Sequence, residues 1–403
     1  LSNRSAIVVI VDRLGAGFLG PYGNTWVETP ELNRMASQCW LFENAITDSI
    51  ALETLYRSYL QGCHAAGPET SQALLPTVAA QQGIRAAVIT DEAALGQNVA
   101  VSTFPERMQL SPAEPVAVAL AEEQTQLGQL FSAALHWLEG VRSPFLLWIH
   151  AQGMNGAWDA PRQYREQFAD EEDPDPPNLV IPPNEEIDAN FDPDELLGLS
   201  QAYAGQVALL DVCMGTLLQA LESHPRGNRT MLILASPRGF PLGEHGCIGA
   251  CGDGLHGEVV HVPLLVRIPE SDPQQARISS FTQPADLHAT LGDWLNLSLE
   301  TGFGHSLLNR AAGNASWQHA YVCATAGDQR AIRTPAWFFR ETDSGSTALY
   351  AKPDDRWEVN EVADRCPEIV DQLKMTMHRY LELVRAGEKR SFPALVPELL
   401  EPQ

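Results

Sequence analysis

Basic residues are scarce in this chain. Its 26 Lys and Arg face 51 Asp and Glu over 403 residues, for a formal charge of −25 at pH 7. A body of that sign repels phosphate backbones and long sulfated polyanions, so nucleic acid is excluded as a partner unless a local basic pocket overrides the field. Cysteine is also sparse: seven, an odd number spread widely, cannot make the disulfide framework of a small secreted domain. Long apolar runs are missing as well. None approaches the ~20 residues needed to cross a bilayer, so the reading is a soluble protein with no membrane span. The first residue is Leu, not Met, and the compartment, cytoplasmic or exported, is not distinguishable from the sequence. What remains, 44% hydrophobic and 19% charged, is ample for the core of one large α/β domain, alone or with a small appendix.

The segment Ser5 to Asp12, SAIVVIVD, is a β-branched apolar run that ends on an acid before a Gly-bearing turn. It reads as a buried parallel strand that delivers Asp12 to the carboxyl edge of a sheet, where open α/β folds place their ligands. Downstream lie GPYGN (Gly20 to Asn24), VETPELNRMA (Val27 to Ala36), FENAITDS (Phe42 to Ser49) and a helix-like stretch closing at LQG (Leu60 to Gly62). Then come LLPTVAAQQGIRAAVITD (Leu74 to Asp91), SPFLLWIHAQGMNGAWDAP (Ser143 to Pro161), YAGQVALLDVCMGTLLQAL (Tyr203 to Leu221), TMLILASPRGFPLGEHG (Thr230 to Gly246) and VPLLVRIP (Val262 to Pro269). In this order the blocks resemble the sulfatase family of the alkaline phosphatase superfamily. The resemblance implies an α/β fold: a central mixed, mostly parallel sheet flanked by helices over residues 1–320, and a small antiparallel C-terminal subdomain over 321–403.

Function has to be argued at the site, because one fold hosts many chemistries. The resemblance implies calcium or magnesium held by two consecutive acids after the first strand and by an acid with Asn or His in a Ser-Asp-His-Gly-like motif. Here those positions read Asp12-Arg13 and Ser236-Pro237-Arg238-Gly239. Three of the four ligand positions, Arg13, Pro237 and Arg238, are therefore lost, and Asp12 alone does not supply the six or so oxygens such a cation takes. The expected cofactor is none. The formylglycine position, counted back from Gly62, falls on Leu52, with Thr54 and Tyr56 in place of the family's Pro and Arg; anchored on Arg57, it falls on Glu53. Neither is Cys or Ser, and Thr54 lies two residues away. The family's general-acid His aligns with Asn155, which cannot act as an acid, and its Lys falls near Ala250. These substitutions imply a catalytically inactive sulfatase-like protein acting in binding or assembly, with a protein partner or a second copy. The alternative is a sulfuric or phosphoric ester hydrolase with a rearranged site, for which Asp12, Thr54, His64 and His245 are the candidates.

Three readings of the replacement arginines stay open. Asp12 pairs with Arg238 or Arg13, so that a guanidinium fills the place of the metal; or Asp12, Arg13, Arg57, His64, Arg238 and His245 outline a pocket for a small anion, which guanidinium forks suit; or the arginines are solvent-exposed and hold nothing. A second cluster lies in EHGCIGACGDGLHGEVVH, residues 244–261, where Glu244, His245, Cys247, Cys251, Asp253, His256 and His261 crowd a Gly-rich loop. Zinc on Cys247, Cys251 and His256 is a weaker alternative, a Cys247–Cys251 disulfide another, and free cysteines the default.

Part of the acidic excess is concentrated. From Arg165 to Leu196 there are twelve acids, one base and six prolines, which predicts an extended, poorly packed insertion serving as a lid, a docking surface or a solvated loop. The C-terminal part reads as the strands YVCATA, AIRTPAWFF and STALYAKP and a helix from Pro367 to Ala386, with Ile369, Val370, Leu373, Met377, Tyr380, Leu381 and Leu383 as its packing face.

Overall fold

The structure, a computed structural model, describes residues 3–111, 118–250, 254–269, 275–300, 302–311 and 319–401. In chain order its strands are β1 (Ser5–Val11), β2 (Trp40–Ala45), β3 (Arg85–Thr90), β4 (Glu106–Gln109), β5 (Phe145–Ala151), β6 (Glu185–Glu186) and β7 (Thr230–Ala235). They continue as β8 (Cys247–Ile248), β9 (Leu264–Arg267), β10 (Ala276–Thr282), β11 (Val322–Ala326), β12 (Gln329–Arg333), β13 (Trp337–Thr342) and β14 (Thr347–Ala351). Eight of them form the main sheet in the order β10-β2-β9-β7-β1-β5-β3-β4. All neighbours run parallel except β9, which is antiparallel to both β7 and β2.

β1 is central because every one of its residues is buried. Ile7, Val9 and Val11 face one core layer with the helices Gln126–Gly140 and Pro193–Ser223; Ala6, Val8 and Ile10 face the other with Leu55, Tyr56, Tyr59 and Leu60 of the helix Leu52–Gln61 and Leu287, Leu291 and Trp294 of the helix Pro284–Leu295. The period-two alternation of a strand divides one apolar run between two layers. One helix, Pro193–Ser223, is long and apolar enough to cross a membrane by length and composition, contrary to the expectation from sequence, yet 78% of its most apolar window is buried inside the protein. Its place in the core layer against β1 and β5 accounts for that apolarity.

The small sheet runs β11-β12-β13-β14 and is antiparallel throughout. AIRTPAWFF is not one strand but two: Pro335, which has no N–H to give a ladder, sits in the turn between β12 and β13. One face of the sheet packs Ile332, Phe339 and Leu349 on Leu373, Met377, Tyr380 and Leu381 of the helix Pro367–Arg385. The other packs Ala324, Ala331, Phe338 and Tyr350 on Ile46, Ile50, Leu255 and Val259 of the main domain.

The acidic insertion is better packed than its composition predicts. Phe168 and Val180 are buried, Trp158 and Val180 exchange backbone hydrogen bonds of 2.8 and 3.1 Å, and the buried Arg165 guanidinium donates to the carbonyls of Trp158 and Pro177. β6 pairs with β8, and residues 193–196 are already the first turn of the long helix, capped by the Asp192 side chain on Asp194 N.

Candidate functional site

β1 hands Asp12 to the carboxyl edge of the sheet, as its sequence predicts. The backbone there is fixed on both sides: Asp12 N donates to Ala151 O at 3.0 Å, and Met154 N donates to Asp12 O at 2.9 Å. Gly153 makes that approach, with φ of +59°, where a Cβ would meet Asp12 O at 2.7 Å. Asp12 is fully buried, and its partner is Arg238. Nε donates to Oδ1 at 2.9 Å and Nη2 to Oδ2 at 2.8 Å, while Nη1 donates to Ile50 O at 2.7 Å. Burial alone would raise the Asp12 carboxyl, but the Arg238 guanidinium, with Arg13 beside it, holds it below the usual carboxylate range.

Arg13 takes the left-handed conformation, φ of +63°, uncommon for a residue with a Cβ. The Tyr203 hydroxyl secures that turn by donating to Arg13 O at 2.8 Å and accepting from Gly15 N at 3.0 Å. Arg13 Nη1 lies 3.4 Å from Gly239 O. The reading of two solvent-exposed arginines is corrected: Arg13 is 4% exposed and the Arg238 side chain 15%. The turn after β7 is closed by Ser236, whose hydroxyl accepts from Leu14 N at 3.2 Å and donates to Arg238 O at 2.7 Å. This donor set is one carboxylate with both oxygens engaged and two guanidinium groups. It does not fit a hard cation that needs an oxygen shell.

The remaining expected positions are dispersed. Leu52 and Glu53 begin the helix Leu52–Gln61, and the Thr54 hydroxyl lies 2.9 Å from both Ser49 Oγ and Ala51 O. Arg57 donates to the carbonyls of Gly67 and Pro68 at 2.9 and 3.3 Å. His64 is buried, with Nε2 3.1 Å from Cys323 O and Nδ1 accepting from Ala66 N at 3.1 Å; burial lowers its pKa against the pull of Asp48. Both residues tie the chain after this helix to its surroundings, away from Arg238. Asn155 ends a single helical turn after β5.

One residue at the edge escaped the sequence reading. His150, in β5, is buried with Nδ1 2.7 Å from the Tyr56 hydroxyl, which accepts from Trp148 Nε1 at 3.0 Å; its Nε2 has no hydrogen-bond partner among the described residues. Burial, opposed by the Asp12 charge and reinforced by Arg238, holds its pKa down to about 4. The signal was a lone His near the end of an otherwise apolar strand, but the same pattern marks many packed core histidines.

Arg13, Ile50, Ala250, His245, His256 and Glu258 line a cavity of about 470 Å³ between the main domain and the small sheet. Arg13, His245 and Ala250 therefore do share a space, while Arg57 and His64 lie outside it. Here His245 Nδ1 is 2.9 Å from Glu258 Oε1, its Nε2 is 3.3 Å from Glu358 O, and its ring stacks on His256 with centroids 3.8 Å apart. The hydrogen bond to Glu258 raises the His245 pKa, whereas burial lowers that of His256. The thiolate alternative needs correction: Cys247 is disulfide-bonded and offers no thiolate, and neither is it a free cysteine. Cys251 and Asp253 lie outside the described residues. His261 is turned away, with Nε2 2.8 Å from Glu43 O, and the Glu244 carboxylate accepts from Leu242 N. Glu358, supplied by the chain after β14, carried no sequence signal.

Comparison with known proteins fits this frame. The family model described as Sulfatase matches residues 4–297. A multifunctional alkaline phosphatase superfamily protein, PehA, of Trinickia caryophylli is 25% identical over 108 residues, 27% of this chain and 21% of its own length. A sulfatase of Formosa agariphila is 24% identical over 164 residues, 40% of this chain and 32% of its own length. The chain thus aligns with about a fifth and a third of these relatives. The crystal structure of a phosphonate monoester hydrolase of Agrobacterium radiobacter superposes with a TM-score of 0.78 over 98% of each chain at 15% identity, a likeness of fold. With a family match running from the strand that carries Asp12 through the helix Pro284–Leu295, and a mostly parallel sheet of the same architecture, the chain belongs to the sulfatase family of the alkaline phosphatase superfamily.

Proposed function

We propose that this chain is a catalytically inactive sulfatase-like protein that works in binding or assembly, with a protein partner or a further copy of itself, and with a small anion as a candidate ligand beside Arg13. The observation that carries this reading is the two-point contact of Arg238 on Asp12. Each oxygen of this carboxylate accepts from one arm of the guanidinium fork, and the fork supplies a fixed positive charge where the family resemblance calls for a cation. The nucleophile position supports the same reading: Leu52 and Glu53 offer no hydroxyl or thiol, and Thr54 is committed to Ser49 and Ala51.

A second reading, an ester hydrolase with a rearranged site, is favoured by one observation: His245, His256 and Glu258 line the same cavity as Arg13, and Glu358 gathers with those three. Hydrolysis of an aryl sulfate, an aryl phosphate and an aryl phosphonate, each with calcium, magnesium or zinc, tests both. The expected result is no turnover above the protein-free blank. Turnover that needs zinc and disappears in Glu258→Gln would replace the first reading with the second.

A further inference from the structure

His245 and Glu358 share an unusual property: both hold positive φ, 54° and 56°, although neither is glycine. Strain of this kind persists where the surrounding structure over-determines a side-chain position. Here the two side chains converge from different parts of the fold. His245 comes from the loop before β8, His256 and Glu258 from the start of the short helix Gly257–Val260, and Glu358 from the chain beyond β14. One donor atom from each of the four lies within 4.8 Å of every other.

Two carboxylates and a backbone carbonyl give this cluster a surplus of acceptors. Both His245 nitrogens face acceptors, the Glu258 carboxylate and the Glu358 carbonyl. His256 Nδ1 is buried, makes no hydrogen bond within normal distance among the described residues, and stands 3.7 Å from Glu358 Oε2. On Glu358 the two oxygens divide their work: Oε1 accepts from Lys352 Nζ at 3.2 Å, while Oε2 accepts from the Gly257 N–H, also at 3.2 Å, and among the described residues keeps a second lone pair. That backbone and lysine support is the kind of outer contact that orients a metal-binding carboxylate. A tetrahedral zinc with bonds of about 2.0–2.2 Å to nitrogen and oxygen wants its donors roughly 3.4 Å apart, a contraction that side-chain rotation supplies.

We propose that His245, His256, Glu258 and Glu358 form a binding site for a divalent transition metal of the zinc class, two imidazoles and two carboxylates that clasp the chain beyond β14 to the main-domain loop. It is separate from the Asp12 position and stands under either functional reading. Imidazole with carboxylate selects zinc over calcium or magnesium.

The test strips the full-length protein with a chelator and titrates zinc by calorimetry, with zinc K-edge absorption on the loaded protein. One equivalent is expected, with a nitrogen and oxygen shell that includes imidazole and no sulfur. His256→Gln and Glu358→Gln should each weaken binding by about 100-fold or more, while His136→Gln, at an exposed histidine of the helix Gln126–Gly140, leaves it unchanged. Absence of stoichiometric zinc, a sulfur-containing shell, or zinc retained at full affinity by His256→Gln would overturn the proposal. The absorption measurement needs no variant, so a misfolded substitution does not blunt the test. Ester hydrolysis by the same zinc-loaded protein would overturn the inactive reading and leave the zinc site standing; loss of the zinc site leaves the inactive reading untouched.

Discussion

Asp12 and Arg238 decide what the edge of the sheet can do, and their energetics follow from burial. A fully buried carboxylate is tolerable only while its counter-charge is in place, so removing one partner costs more than the pair contributes. Arg238→Ala should therefore destabilise the protein by about 3–5 kcal/mol in urea unfolding, and the double variant with Asp12→Ala should lose much less than the sum of the two single changes. The Asp12 carboxyl is held below its ordinary value. Its contribution is thus complete above about pH 4 and fades as pH falls through the lowered value. His150 gives a second pH signature, in a higher window. Its folded pKa is about 4, while an unfolded chain takes up that proton near 6.5. The unfolded state binds more protons between the two values, so stability is lost as pH drops across that window. The advantage of wild type over His150→Gln should shrink by roughly 2 kcal/mol between pH 7 and pH 4.5, read from urea midpoints of both proteins.

The helix Leu52–Gln61 must stop where it does. Gly62 closes it in the left-handed conformation, φ of 67°, donating its N–H to Ser58 O at 3.1 Å, and its own carbonyl accepts from Phe303 N at 2.6 Å. A Cβ at this position would sit 2.4 Å from His288 Nδ1, and His288 is buried in the helix Pro284–Leu295. Gly62→Ala combines a disfavoured backbone with a steric clash and should cost about 2 kcal/mol or more, seen as a lowered Tm. The closing Gly was legible in the sequence because a left-handed helix end calls for it. β1 was legible because a strand buried on both faces is a continuous apolar run, whereas the blocks that hold β3, β5, β7 and β9 were read through the family resemblance. The split of AIRTPAWFF into β12 and β13 was signalled by Pro335, yet the run's apolarity on both sides of it masked the turn. The packing of the 165–196 segment was not legible, because charge and proline content report average solvation and not the burial of Arg165, Phe168 and Val180. At the site, Asp12, Arg13 and Arg238 came from motif positions, whereas Glu258 and Glu358 are 100 residues apart and meet only through a tertiary contact. The strained backbone at His245 and Glu358 has no counterpart in composition or periodicity.

Across the whole molecule, this chain shares its fold with an Agrobacterium radiobacter hydrolase over 98% of both chains at 15% identity, so the architecture tolerates change at most positions. β1 is buried and Gly153 approaches Asp12 closely in a chain that carries Arg13, Pro237 and Arg238. Site chemistry and fold are then separable, and the separation can be tested by building the cation site back. Arg13→Asp, Pro237→Asp and Arg238→Asn together place hard oxygen donors at the three positions that the family resemblance assigns to the metal, and they release both Asp12 oxygens. Calcium should bind the triple variant and raise its Tm, the shift growing with concentration as binding to the folded state requires, about 2.7 kcal/mol at a hundred times Kd. Wild type should show no such calcium shift. Aryl sulfate hydrolysis should stay absent in the triple variant, since Leu52, Tyr56 and Asn155 still offer no nucleophile, sulfate-binding cation or acid. Failure of the triple variant to bind calcium while it remains folded would mean that the loops after β1 and β7 have themselves moved away from a metal-holding geometry, so that the loss extends beyond the side chains.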